Sequence, residues 1–154
     1  MSETFYQQSL PDLAATAQFA VRLAPYLRVH DVITLQGQLG AGKTTFARAL
    51  LQALGVTGEV PSPTFTLVQN YLASSLSIFH FDFYRLKQAD ELEEIGWDDA
   101  CAEGLVLVEW PERAITRMPH DRLALSFGID KTSLRHVTIE PHGAWLERLK
   151  GFVV

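Results

Sequence analysis

Gly37-Gln38-Leu39-Gly40-Ala41-Gly42-Lys43-Thr44 is the stretch that decides how this chain is read. It fits the spacing G-x-x-x-x-G-K-[ST], a loop whose backbone N–H groups cradle phosphate oxygens. Two of its four fixed positions are glycine at about 7% usage, so a chance match arises on the order of once in a hundred chains of this length or less. Before it, Val32-Ile33-Thr34-Leu35 is a short β-branched and apolar run, which predicts a buried strand. After it, residues 45–54 are rich in helix formers and are stopped by Gly55, which predicts a helix. Strand, glycine loop and helix together turn a pattern into a physical site. The glycines bring the backbone close to an anion, and the helix start adds unpaired donors and a positive dipole end. Lys43 then reaches the β- and γ-phosphates, and the Thr44 hydroxyl is placed to ligate Mg²⁺. The expected ligand is ATP or GTP.

The composition narrows the setting. At 154 residues the chain is expected to form a single domain spanning 1–154. An apolar fraction of 47% and a charged fraction of 20% are ordinary for a soluble globular protein. No window reaches the roughly 18 uninterrupted apolar residues of a membrane helix. Met1-Ser2-Glu3-Thr4 lacks the basic and apolar pattern of a secretory signal. The single cysteine, Cys101, builds no disulfide framework and fits a reducing cytoplasm. The net charge of −5 argues against a primary grip on nucleic acid, DNA included. Lys131, Arg135, Arg148 and Lys150 are the nearest approach to a basic cluster and read as solvated surface. The five histidines show no zinc spacing.

Along the chain, residues 11–24 carry Leu13, Ala17, Ala20, Val21 and Ala24 at helical spacing, with Pro11 near the start. Residues 64–71 and 76–81 read as strands joined at Ser74-Ser75, an antiparallel hairpin. Residues 90–97 read as an acidic helix and 98–103 as a second. Leu105-Val106-Leu107-Val108 is an unbroken apolar run, as expected of a central strand covered on both faces. Strands at 122–127 and 136–140 precede a closing helix at 144–150. The resulting fold class is α/β: a sheet like that of P-loop NTPases, mixed parallel with an antiparallel hairpin, and helices on both faces. The ligand is expected at the carboxyl edge of the parallel strands.

Chemistry at a phosphate cradle needs a carboxylate beside the metal. Two strands end in one: Ile78-Phe79-His80-Phe81-Asp82 and Leu105-Val106-Leu107-Val108-Glu109. An apolar strand followed by an acid is the Walker B arrangement. The central strand makes Glu109 the expected metal ligand beside Thr44, which leaves Asp82 to orient or deprotonate an attacking water. Ser62-Pro63-Thr64 reads either as a switch whose threonine reports the γ-phosphate or as a turn that satisfies its own backbone. Trp110 reads as a core residue ahead of a partner anchor. Arg85 could meet phosphate or pair with Glu91 or Glu94.

Four motifs in order resemble the TsaE family, also called YjeE or YdiB. They are Gln38-Leu39-Gly40-Ala41-Gly42-Lys43-Thr44-Thr45, Ser62-Pro63-Thr64-Phe65-Thr66-Leu67, His80-Phe81-Asp82-Phe83-Tyr84-Arg85-Leu86 and Val108-Glu109-Trp110-Pro111-Glu112. The likeness covers about residues 9–112, and its last three motifs together are specific. It implies a small bacterial ATPase of the tRNA threonylcarbamoyladenosine pathway, with ATP and Mg²⁺ as cofactors. Its implied partners are the TsaB–TsaD pair, which attaches threonylcarbamoyl to the adenosine beside the anticodon of ANN-reading tRNAs. The tRNA would be met through those partners. By position the resemblance gives Lys43 and Thr44 the phosphate and Mg²⁺ roles, Glu109 a second Mg²⁺ contact, Asp82 a catalytic role and Thr64 the switch. Trp110 matches a tryptophan that the family uses. The cradle runs through Gly37, Gln38, Leu39, Gly40, Ala41, Gly42, Lys43, Thr44 and Thr45, and the adenine contacts fall around Ser9, Leu10 and Asp12. One departure stands out: the family usually has Asp where this chain has Gln38, which keeps hydrogen bonding without the charge.

Two other classes compete. A small-molecule kinase on the same fold would need an acceptor pocket and an arginine-bearing lid, for which Arg113, Arg117 and Arg122 are the candidates. A GTPase switch would want an Asn-Lys-x-Asp motif, which the sequence lacks.

Overall fold

A computed structural model describes residues 6–152 apart from 59, 61, 62, 64 and 65. The fold is one seven-stranded sheet in the order β1-β7-β6-β2-β5-β4-β3. The strands are β1 (Tyr6–Ser9), β2 (Val32–Gln36), β3 (Val68–Ala73), β4 (Leu76–Asp82), β5 (Leu105–Glu109), β6 (Arg122–Ile129) and β7 (Arg135–His142). β6, β2, β5 and β4 form a parallel centre. β3 on one side, and β7 followed by β1 on the other, add antiparallel edges. The expected hairpin is present as β3–β4, and β6–β7 is a second one.

Alternation along the central strands sorts side chains to two cores. Ile33, Leu35, Leu105, Leu107 and Ile78 face a core shared with α1 (Leu13–Leu23) and α2 (Lys43–Ala53), through Phe19, Leu23, Phe46 and Leu50. Val32, Val106, Val108 and Phe81 face the other core, with Leu92 of α3 (Glu91–Glu94) and Trp97 of α4 (Trp97–Glu103). Every residue of β5 is buried, as its unbroken apolar run requires.

Local chemistry sets the helix boundaries. Asp12 caps α1, its carboxylate accepting from the Ala15 N–H at 2.8 Å, so Pro11 lies outside the cap rather than at the first helical position. α2 begins at Lys43, two residues earlier than expected, directly after Gly42 at φ +112°. The acidic helix expected at 90–97 is cut at Gly96, whose φ of +77° ends one helix and opens the next. β3 starts at Val68 rather than at 64, because Leu67 turns left-handed at φ +68° with its N–H on the Pro63 carbonyl. The switch expected at Ser62 and Thr64 lies outside the described residues.

The closing helix α5 (Trp145–Arg148) is a single turn, shorter than 144–150, and it buries Trp145. Arg148, expected on a solvated surface, lies 4.1 Å from the Trp145 ring centroid and pairs with buried Asp31 at 2.6 Å. It ties α5 to the residue just before β2. β1 was not anticipated: Tyr6-Gln7-Gln8-Ser9 has no apolar alternation to announce a strand. No helix among the described residues is long and apolar enough to cross a membrane.

Candidate nucleotide site

The glycine loop leaves the end of β2 and enters α2. Gly37 sits at φ +149°, and a Cβ there would stand 2.5 Å from the Phe127 carbonyl oxygen on β6, so no side chain fits. Gly42, at φ +112°, brings the chain into the first turn of α2 in a conformation that L side chains rarely adopt. The loop and the first turn of α2 line one side of a cleft of about 540 Å³, within the usual range for small-molecule sites.

Lys43, 5% exposed, folds back on the loop. Its ammonium donates to the Gly37 carbonyl and stands 3.4 Å from the centroid of the Trp110 ring. Burial pushes the Lys43 ammonium below its ordinary value, against the pull of Glu109, Glu112 and Asp82. Trp110 reaches it because the chain turns left-handed there, φ +59°, directly after β5. The indole also meets the Tyr84 ring at 4.9 Å, and Arg113 lies 5.7 Å from that tyrosine's centroid. Trp110 is therefore a half-buried flank of the core, as its pattern favoured, and a wall of the cleft as well.

The two strand-end acids are direct neighbours in the β4–β5 register, Asp82 opposite Glu109. They are 3% and 2% exposed. Their surroundings differ. Asp82 accepts from the Tyr84 N–H at 2.8 Å. Glu109 uses both oxygens on side chains: Thr44 Oγ1 donates to Oε1 at 2.8 Å, and His80 Nε2 meets Oε2 at 2.6 Å. Hard oxygen donors, hydroxyl and carboxylate, are the ligands that Mg²⁺ takes, and they suit it here. Among the described residues no group of three or more His, Cys, Asp or Glu could hold a metal by itself. An ion at Thr44 and Glu109 would complete its shell with phosphate oxygens and water.

Of the cradle residues, Leu39 through Thr45 line the main cleft, while Gly37 and Gln38 line an adjoining depression beside Tyr84, Trp110 and Glu112. Leu10 and Asp12 line the main cleft; Ser9 does not, being held in β1 opposite His136. Leu13, Thr16 and Tyr84 line the cleft without having been assigned to it by the sequence, and so do two residues of the far strands. Phe127 at the end of β6 and Arg135 at the start of β7 close the side facing Leu10 and Asp12. Arg135 donates to the Gly40 carbonyl at 3.3 Å, across a separation of 95 residues that no local pattern reveals.

A parallel centre, a glycine loop from its strand β2 into a helix and an acid ending the adjacent strand define a P-loop protein. The family model described as "Threonylcarbamoyl adenosine biosynthesis protein TsaE" matches residues 10–137. The "tRNA threonylcarbamoyladenosine biosynthesis protein TsaE" of Synechocystis is 42% identical over 117 residues, 73% of this chain and 74% of that one. The protein of the same name from Bacillus subtilis is 36% identical over 135 residues, 87% of this chain and 84% of its own. The crystal structure of Bacillus subtilis YdiB superposes with a TM-score of 0.82 at 27% identity, covering 99% of this chain and 96% of that one. The chain belongs to the TsaE family.

Proposed function

We propose that this protein is a Mg²⁺-dependent ATPase that serves tRNA threonylcarbamoyladenosine biosynthesis, working with a TsaB–TsaD complex in the cytoplasm. The observation that carries the reading is the Thr44–Glu109 hydrogen bond of 2.8 Å, which joins the phosphate loop to the acid of the central strand. Family membership supplies the pathway. On this reading the loop amides and Lys43 bind the phosphates. Thr44 and Glu109 hold Mg²⁺ together with phosphate oxygens. The ion supplies charge neutralisation in a cleft where Lys43 already faces Asp82, Glu109 and Glu112. Asp82, buried at the same edge, orients the attacking water or takes its proton. Leu10 and Asp12 flank the adenine. The whole chain acts as one domain, and the acidic net charge of −5 leaves the tRNA grip to the partners.

The kinase alternative has less to stand on, since none of Arg113, Arg117 and Arg122 lines the cleft, and Arg122 donates to the Pro119 carbonyl at 3.1 Å. Phosphate release from ATP, measured with Mg²⁺ or EDTA and with or without TsaB–TsaD, tests the proposal. Slow Mg²⁺-dependent release that the partners stimulate is the expected result. Release indifferent to both, or efficient transfer to a nucleoside or sugar, overturns it.

A further inference from the structure

His80 is the most deeply buried polar side chain among the described residues, at 0% exposure. It stands on β4 two residues after Ile78 and two before Asp82, so these three side chains share the face that α2 covers. Its neighbour on β5 is Leu107, one step of the pleat below Glu109. From there Nε2 reaches diagonally to Glu109 Oε2 at 2.6 Å. An ionised carboxylate only accepts, so the imidazole donates through Nε2–H. Its Nδ1 meets no hydrogen-bond partner. A leucine or phenylalanine would fill the same space without stranding a polar atom, so packing does not account for a histidine here. What the histidine adds is one bond, made to the carboxylate that also holds Thr44.

We propose that His80 is a positioning residue: its Nε2–H pins Oε2 of Glu109 and so keeps Oε1 turned toward Thr44 and the phosphate loop. The proposal rests on the Mg²⁺-dependent nucleotide reading above and adds to it the group that orients the metal carboxylate. Partners of this kind fix the direction of a ligand and sharpen metal affinity without touching the ion.

Two amides separate orientation from packing. In His80→Gln the side-chain N–H lies near the place of Nε2; in His80→Asn it lies near the place of Nδ1 and falls short of Glu109. The readout is the affinity of each protein for a fluorescent ATP analogue, in EDTA and across a Mg²⁺ series, with thermal denaturation to establish folding. All three proteins should bind the metal-free analogue alike. The Mg²⁺ concentration for half-maximal tightening should be restored to within about threefold of wild type in His80→Gln but raised about 10- to 100-fold in His80→Asn. If His80→Asn does not fold, His80→Leu, close in volume and without a donor, takes its place with the same expectation. Gln and Asn (or Leu) variants that share the wild-type Mg²⁺ response overturn the inference alone. A wild-type protein whose affinity ignores Mg²⁺ overturns the metal reading of Glu109 and the inference with it.

Discussion

The two faces of the sheet are built from the same strands by the same alternation, yet only one of them carries the site. On the face under α1 and α2, β4 runs Ile78, His80, Asp82 and β5 runs Leu105, Leu107, Glu109, so each row begins in the core and ends in a carboxylate. On the face under α3 and α4 the rows stay apolar, β4 passing through Phe81 to Phe83 and β5 through Val106 to Val108. Phe81, Phe83 and Trp97 meet edge to face at centroid distances of 5.1 to 5.9 Å. The apolar period places the core, whereas the last residue in each phase decides which side carries the two buried acids. A slip of one residue between β4 and β5 would bring an acid against a ring.

That division can be broken from either side. The largest effect is expected at Asp82: Asp82→Ala should lower the hydrolysis rate about 10²–10⁴-fold while ATP affinity holds, read by single-turnover phosphate release beside a binding titration. Equal hydrolysis by the variant and the wild type would remove Asp82 from the reaction. On the opposite face Trp97→Ala should cost about 3–5 kcal/mol of stability, measured by urea denaturation, with ATP affinity intact in the folded fraction. A loss of affinity there without loss of stability would mean that the faces are not separate in function. Lys43→Ala should weaken ATP binding on the order of a hundredfold, since a charged hydrogen bond contributes about 1.5–3 kcal/mol, and calorimetry would read it. The same substitution should leave the denaturation midpoint nearly unmoved.

The smallest effect concerns Cys101 of α4, on the aromatic side. Burial, and after it Asp98, pushes this thiol up to about 11. A raised thiol value keeps the neutral form through neutral pH, so at pH 8 only about one molecule in a thousand carries the thiolate. Its reaction with a disulfide reagent should be slow at pH 8, climb with pH toward 11 and not change when ATP is added. Protection by ATP would couple the two faces after all.

What could be read from the residues alone follows from how local each signal is. The loop, its strand and its helix are contiguous, and the two acids end runs whose hydrophobicity declares them strands. The hairpin was visible because Ser74-Ser75 interrupts two such runs. Arg135 was not legible, because its tie to Gly40 crosses 95 residues and exists only after β7 has joined the sheet. Trp110 was half legible: it flanks the core, as a tryptophan beside a buried strand ordinarily does, and the left-handed turn at that residue also brings it to the cleft. His80 left a trace that could have been followed, a histidine inside an otherwise apolar strand two residues before an acid. The trace says that something must satisfy the ring, and only the register says that Glu109 does.

β1 is an edge strand with one neighbour, β7, and Leu10 extends the attachment by donating to the Arg135 carbonyl at 2.8 Å. The wall that Leu10 and Asp12 give the cleft is therefore hung on residues translated more than a hundred positions later. A growing chain can shape its phosphate loop as soon as the parallel centre assembles. The wall made by Leu10 and Asp12 has nothing to lean on until β7 has left the ribosome, so half-made copies lack a complete cleft.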